Sequence, residues 1–396
     1  MQGRKKDFNL GVFKSETEFI GFLENTFTQS LKQLIRQTVK IMIKEEMKTF
    51  REEVHQLVGG LSFNGCYHRD MVGPFGAVKD IPIPRFRDNP AGFQPETLSV
   101  FDQQQDKFFK LIAEMHRMGI SQRKVKHLAE TCLGAKLSTA RVGAVHKQLA
   151  QVEEAKINSA PLTDDYDYLL CDGLWTKTKG YGWDENRSVL LCVLGIKPTG
   201  ERQIIGFLVA RSESYQEWHE LILSIKERGL LGKNLKLIIS DDGGGLTKAV
   251  EQLFPGVPLQ NCIVHKLRNV IGRASYKNRK EVAATAKTIY QQPDKEQALL
   301  AAKSFCRQWY LKEPKVVNSL KHNFLKTLTY YSFDPNLWSK IRTTNMLERE
   351  LREVRRRIKV FDSSFNDTVS HQRYAGSIIN YLNQNYPSRS KAEFTH

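Results

Sequence analysis

Residues 235–241 read LKLIISD and residues 168–172 read YLLCD: in both, an apolar run stops on an aspartate. Short apolar runs bounded by turn formers read as buried strands, and Asp242-Gly243-Gly244-Gly245 supplies the turn after LKLIISD. Working outward, strands are expected at 166–172, 188–196, 203–210, 235–240 and 258–263. A helix bearing Trp218, Leu221, Leu223 and Ile225 falls between the third and fourth strands and closes at Gly229. Three consecutive strands on short connections predict an antiparallel meander; strands separated by helices predict parallel additions. Residues 265–340 read as mostly helical, and 341–357, IRTTNMLERELREVRRR, as a charged helix.

That mixed order is the ribonuclease H-like one. The expected fold class is therefore α+β and multidomain: a ribonuclease H-like mixed sheet with a helical insertion, preceded by helical and helix-turn-helix regions. The organisation reads as 1–60 helical, 61–100 an extended basic arm or small β element, and 101–160 helix-turn-helix. The core follows at 161–264, the insertion at 265–340, and a last helix with its tail at 341–396. In the first helix Ser15 and Glu18 form a capping box, and Gly59-Gly60 stop it. Its apolar residues Phe19, Phe22, Leu23, Phe27, Leu31, Leu34, Ile35 and Ile41 or Met42 recur at three and four. That face suits either packing within its own domain or dimerisation. Pro82 and Pro84 alternate with Ile81 and Ile83, the pattern of an edge strand or arm. Gly119 punctuates the next helices, Ser138 is placed as an N-cap, and 139–147 is the candidate recognition helix. A plain helical bundle has the same spacing.

The chain has 396 residues, 40% hydrophobic and 26% charged, a composition able to bury a sizeable core. Sixty Lys+Arg against 43 Asp+Glu leave a formal charge of +17, which favours a polyanionic partner. Six cysteines without a CxxC argue against a disulfide framework and fit a reducing, cytoplasmic setting. The basic N-terminus has no apolar segment behind it, so it does not read as a secretory signal. The run Val189–Ile196 is too short to span a bilayer, and no membrane partner is expected.

Asp172, Asp241 and Glu348 are the candidate catalytic and metal-binding residues. Phosphodiester transfer needs an activated oxygen nucleophile and a stabilised leaving oxygen, and two divalent ions about 3.5–4 Å apart serve both. Mg²⁺ takes one or two carboxylates, so three acids from three elements suffice if they converge. Each acid also has a plainer reading. Asp172 suits a turn before Gly173, and Asp241 suits a helix N-cap, with Asp242 competing for the same role. Glu348 stands four residues before Arg352, as Glu353 does before Arg357, the spacing of surface ion pairs. Cys262 and His265 form a C-x2-H and, with Asp242, are read as adjacent to the site; His265 suits a place beside the metals, a DNA contact or a buried core histidine alike. Structural zinc would need a second pair of ligands that the neighbouring sequence lacks. Lys266 and Arg268 open one basic stretch; Arg349, Arg352, Arg355, Arg356 and Arg357 share the helix of Glu348. With Arg69, Arg85, Arg87, Arg123, Lys124, Arg141 and Lys147 they are candidate DNA contacts.

Two passages carry a family resemblance. The first is SESYQEWHELILSIKERGLLGKNLKLIISDDGGGLTKAVEQLFPGVPLQNCIVHKLRN; the second is LWSKIRTTNMLERELREVRRRIKVF, with its TTN-x-x-E-R core. Both resemble the catalytic region of the Mutator-type insertion-sequence transposases. NGCYHRDMVGPFGAVKDIPIPRFR and MGISQRKVKHL look like that family's DNA-binding region. The resemblance implies that the acidic triad falls on Asp172, Asp241 and Glu348, aligning Gly245-Leu246 so as to select Asp241 over Asp242. It places the family's C-x2-H on Cys262 and His265, and sets Gly173 where Ala is more usual, a change expected to be without effect. It implies two Mg²⁺ ions, with Mn²⁺ able to substitute, and nicking at element ends followed by strand transfer into target DNA. Binding to terminal inverted repeats and assembly into at least a dimer are also implied. A stand-alone nuclease of the same fold and a non-catalytic DNA-binding regulator are the alternatives.

Overall fold

The computed structural model describes residues 16–58, 61–73, 76–87, 92–133, 137–177, 187–361, 365 and 368–385. Ser15, Gly59 and Gly60, assigned above to the ends of the first helix, lie outside them. The chain divides into two units, Met1–His116 with Gln122–Val145, and Arg117–Ser121 with His146–His396.

In the first unit, helix α1 (Glu16–Val58) meets a two-stranded antiparallel hairpin of β1 (Phe63–Gly73) and β2 (Gly76–Phe86). Val39, Ile43 and Met47, one turn apart, pack on Ile81 and Ile83 of the hairpin. The apolar stripe expected for α1 is not the one that is buried: Phe22, Phe27, Leu34, Ile41 and Met42 are exposed. A 43-residue helix is roughly 65 Å long, whereas 11-residue strands span roughly 36 Å, so the hairpin covers only part of it. Pro82 and Pro84 are half-buried opposite Cys66 and His68 in a ladder whose strands are both edges, which suits their missing N–H groups. Three helices follow where the sequence predicts them: α2 (Glu96–Arg117), α3 (Gln122–Leu133) and α4 (Thr139–Asn158). The Ser138 hydroxyl accepts the Arg141 N–H at 3.1 Å, as an N-cap does.

The second unit begins its sheet with β3 (Tyr168–Lys177), β4 (Arg187–Ile196) and β5 (Arg202–Ala210). Helix α5 (Tyr215–Glu227), β6 (Leu237–Ser240), α6 (Gly244–Leu253) and β7 (Leu259–Asn261) complete it. The strand order is β5-β4-β3-β6-β7. The first three strands are the expected antiparallel meander; β6 joins β3 in parallel and β7 joins β6 in parallel. Helices α7 (Ile263–Gly272), α8 (Arg279–Ile289), α9 (Lys295–Trp309) and α10 (Pro314–Lys321) follow. A 3-10 segment, Phe324–Ser332, leads to α11 (Pro335–Ile341), α12 (Asn345–Ile358) and α13 (Thr368–Asn385).

Both faces of this sheet are covered, which is why β4 reads as an unbroken apolar run. Val189, Leu191 and Val193 pack with Trp218, Leu221 and Ile225 of α5 and with α6. Leu190, Cys192 and Leu194 belong to the opposite cluster, with Leu347 and Leu351 of α12 and Ile378 of α13. One expectation is corrected: β3 does not stop at Asp172. It continues to Lys177 because Leu174 and Thr176 keep the antiparallel pairing with β4 as far as Arg187. Among the described residues, no helix is long and apolar enough to cross a membrane.

The chain leaves α5 at Gly229, whose φ of +119° favours glycine and where a Cβ would lie 2.3 Å from the Leu162 carbonyl oxygen. Gly229→Ala is expected to cost more than about 2 kcal/mol, measured as a lower urea midpoint with unchanged slope.

Candidate active site

The β3–β6 ladder ends with Cys171 opposite Ser240. Asp172 and Asp241 are the next residue of each strand, so they stand side by side where the ladder opens. Asp172 alternates with Leu170 and Leu174, which belong to the cluster on the α12 side of the sheet. Glu348, in the first turn of α12, is delivered to that side. Asp172, His265, Arg268, Glu348, Arg352 and Arg355 line one cavity of about 280 Å³.

Asp172 is 8% exposed and accepts the Gly173 N–H at 2.8 Å. Among the described residues, neither Asp172 nor Asp241 forms an ion pair with a lysine or arginine. Burial pushes the Asp172 carboxyl up to about 7, against the pull of His265, while Asp241 and Glu348 add like charge. Burial also raises Asp241, against the Gly243 N–H at 3.2 Å and His265. The His265 imidazole is held up to about 9, first by the Cys262 sulfur and then by Asp172 and Glu348. Its Nε2 lies 3.4 Å from Glu348 Oε1. Glu348 also accepts from the Thr344 hydroxyl at 3.3 Å.

Asp242 has the opposite surroundings. Its carboxylate accepts from Asn261 Nδ2 and Asn323 Nδ2, both at 2.8 Å, and from Lys266 Nζ at 3.0 Å; His322 Nδ1 is 3.2 Å away. Burial acts to raise this group, but these partners outweigh it and hold it below the usual carboxylate range. Asp242 thus ties the turn after β6 to α7 and the segment ahead of the 3-10 turn, whereas Asp241 stands near enough to Asp172 to add like charge to it.

Two candidate DNA contacts are corrected by burial. Lys266 is 1% exposed and spends its ammonium on Asp242 and the His322 carbonyl, so no phosphate reaches it from solvent. Arg357 is buried, bonded to Glu353 Oε2 at 2.8 Å and stacked over Tyr381. The Glu353–Arg357 pair therefore forms as its spacing predicts; the Glu348–Arg352 pair does not, because Glu348 turns to His265. Arg268, Arg349, Arg352, Arg355 and Arg356 are exposed. In the first unit Arg69 pairs with Asp102, Arg85 lies over Tyr67 and Arg141 lies over Phe109. Arg87, Arg123, Lys124 and Lys147 are exposed.

A fourth acid at this place carries no local signal in the sequence. Glu213 lies in the connection from β5 to α5; it accepts a hydrogen bond from Trp175, and burial raises its carboxyl, with Asp241 adding like charge. A Cβ on residue 173 would come within 2.7 Å of Glu213 Oε1 and 3.0 Å of Val189 Cγ2. The glycine at 173, expected to be without effect, thus leaves room that the Glu213 carboxylate occupies.

Two aspartates on neighbouring strands thus stand near a helix rich in arginine. Comparison with known proteins identifies the family. Residues 14–388 match the family described as "Transposase, Mutator family", and the chain belongs to that family. It is 29% identical over 381 residues to the transposase for insertion sequence element IS256 in transposon Tn4001 of Staphylococcus aureus, covering 94% of this chain and 93% of that one. It is 31% identical to the transposase for IS406 of Burkholderia multivorans over 70% of this chain and 71% of that one. The transposase for IS1201 of Lactobacillus helveticus is 26% identical over 85% of this chain and 90% of its own. Among solved structures, the Drosophila P element transposase strand transfer complex overlaps 72% of this chain and 81% of that chain, at 12% identity and a TM-score of 0.28.

The contrast between the neighbouring aspartates is testable by stability. Asp242→Ala strands a buried ammonium and is expected to cost about 3–5 kcal/mol, whereas Asp241→Ala stays within about 1 kcal/mol of wild type. Urea unfolding of both variants measures this. A second expectation concerns pH. A carboxyl raised from 3.8 to about 7 keeps its proton in the folded chain while the unfolded chain has lost it, so its contribution falls as pH rises between those values. Without divalent ions, Asp172→Asn is expected to gain stability relative to wild type from pH 4 to pH 7 and to hold that gain above. Melting temperatures in EDTA at pH 5 and pH 8 would show it.

Proposed function

We propose that this transposase binds the terminal inverted repeats of an insertion sequence, cuts DNA there and joins the freed 3′ end to target DNA. Asp172, Asp241 and Glu348 are its acidic triad and hold two divalent ions, Mg²⁺ with Mn²⁺ as a substitute. The observation that carries this reading is the pair of aspartates on neighbouring strands, which among the described residues pair with no lysine or arginine, with Asp172 and Glu348 lining one polar cavity. Oxygen donors held close in that state suit a hard cation, which would offset the burial that raises Asp172 and the like charge that Asp241 and Glu348 add. Such ions would supply Lewis acidity to the attacking and leaving oxygens of phosphate.

The chain's own groups do the rest. His265, charged at neutral pH and 3.4 Å from Glu348, fixes that carboxylate toward the aspartates. Arg268, Arg352 and Arg355 ring the cavity, where they receive the phosphates flanking the scissile bond. Helices α2 to α4 act as the helix-turn-helix reader, with Arg123, Lys124, Arg141 and Lys147 toward DNA. The exposed apolar residues of α1 support self-association, so that two ends are held in one assembly. The enzyme works in the cytoplasm, on the nucleoid.

Plasmid carrying the flanking ends, incubated with Mg²⁺ or with EDTA, is the direct test. Metal-dependent nicking at the ends is expected, with Glu348→Gln lower by on the order of 10²-fold or more. Binding to the ends without cleavage by wild type would leave a DNA-binding regulator; cutting anywhere on the plasmid would leave a nuclease.

A further inference from the structure

The C-x2-H pair gains a third donor from a distant part of the chain. Cys262 caps the N-terminus of α7, and His265 stands in its first turn. Glu348 comes from α12. One sulfur, one ring nitrogen and one carboxylate oxygen of these residues all lie within 4.8 Å of one another. A tetrahedral zinc ion takes sulfur at about 2.3 Å, nitrogen at about 2.0–2.1 Å and oxygen at about 2.0–2.2 Å, which sets neighbouring donors roughly 3.3–3.6 Å apart. The His265–Glu348 separation of 3.4 Å already has that value. Bringing the sulfur to the same spacing needs a closure of little more than ~1 Å.

Two further features suit a thiolate ligand. The Thr344 N–H donates to Cys262 Sγ at 3.4 Å, the kind of outer contact that steadies a metal-bound sulfur. His265 and Glu348 line the cavity, so an ion has a way in and a fourth position can hold water. Cys262 itself is 1% exposed.

We propose that Cys262, His265 and Glu348 form a second metal site, selective for a thiophilic divalent cation of the zinc class. Sulfur and imidazole donors favour zinc, whereas hard Mg²⁺ favours the oxygens of Asp172 and Asp241. Glu348 is common to both sets, so zinc withdraws it from the triad and acts as an inhibitor. The inhibitory consequence rests on the triad reading above; the zinc site itself does not.

Cobalt(II) titrated into the full-length protein without Mg²⁺ tests the site independently of catalysis. One equivalent is expected to give the near-ultraviolet thiolate-to-cobalt band with tetrahedral visible absorption, and Zn²⁺ is expected to displace it. The band is lost in Cys262→Ser and in His265→Gln, and kept in Asp172→Asn. Should Cys262→Ser fail to fold by circular dichroism, His265→Gln decides. No band in wild type, or a band that survives both substitutions, overturns the site. Zn²⁺ is then added to the Mg²⁺-supported cleavage reaction: loss of cleavage, reversed by a zinc chelator, supports the shared glutamate. Undiminished cleavage with zinc bound overturns it. If no cleavage occurs under any condition, the triad reading fails while the cobalt band still decides the site.

Discussion

The parallel pairing of β3 with β6 is the constraint from which the site follows. With Cys171 opposite Ser240, the next residues are Asp172 and Asp241, held on neighbouring strands where the ladder ends. Side chains alternate along a strand, so a one-residue slip would turn Asp172 toward α5 and α6, away from Glu348. That slip is resisted along β3 and β4 together, because Leu170, Leu174, Leu190 and Leu194 fill one face and Leu169, Val189 and Val193 the other. Packing of the sheet thereby fixes the position of two carboxylates that packing alone would disfavour.

Electrostatics then divides adjacent acids into different roles. Asp242 is surrounded by donors from α7, β7 and the approach to the 3-10 segment, and it is stable as an anion. Among the described residues Asp172 and Asp241 pair with no lysine or arginine and accept from the Gly173 and Gly243 N–H groups, and burial raises both. Two carboxylates held together under burial, with His265 as the nearby cation, are not a source of stability. His265 and the cavity-lining Arg268, Arg352 and Arg355 bring positive charge to the same place.

Much of this was legible in the residues. The meander shows in the short connections from 168 to 210; the parallel strands show in their spacing around α5 and α6. The preference for Asp241 over Asp242 came from the Gly245-Leu246 alignment, since local pattern does not separate two adjacent aspartates. What local pattern missed was long-range. The buried stripe of α1 is Val39-Ile43-Met47 because the hairpin meets the helix there. Lys266 and Arg357 look like solvent-facing cations by spacing, yet Asp242 and Tyr381, each 24 residues away, meet them inside the fold. Glu213 sits in a polar loop, and only the fold brings it near Asp241, with its carboxylate in the space beside Gly173.

The sequence by itself determined the order of strands and helices, the apolar faces of the sheet, and the residues able to carry acid chemistry. These depend on periodicity and side-chain type, which are local properties of a chain. Only the tertiary structure decided which acids are free and which are paired, that Glu348 turns to His265 rather than Arg352, and that Cys262, His265 and Glu348 share one volume. Those outcomes depend on distances between residues far apart in the chain, and such distances exist only once the sheet and its covering helices have packed.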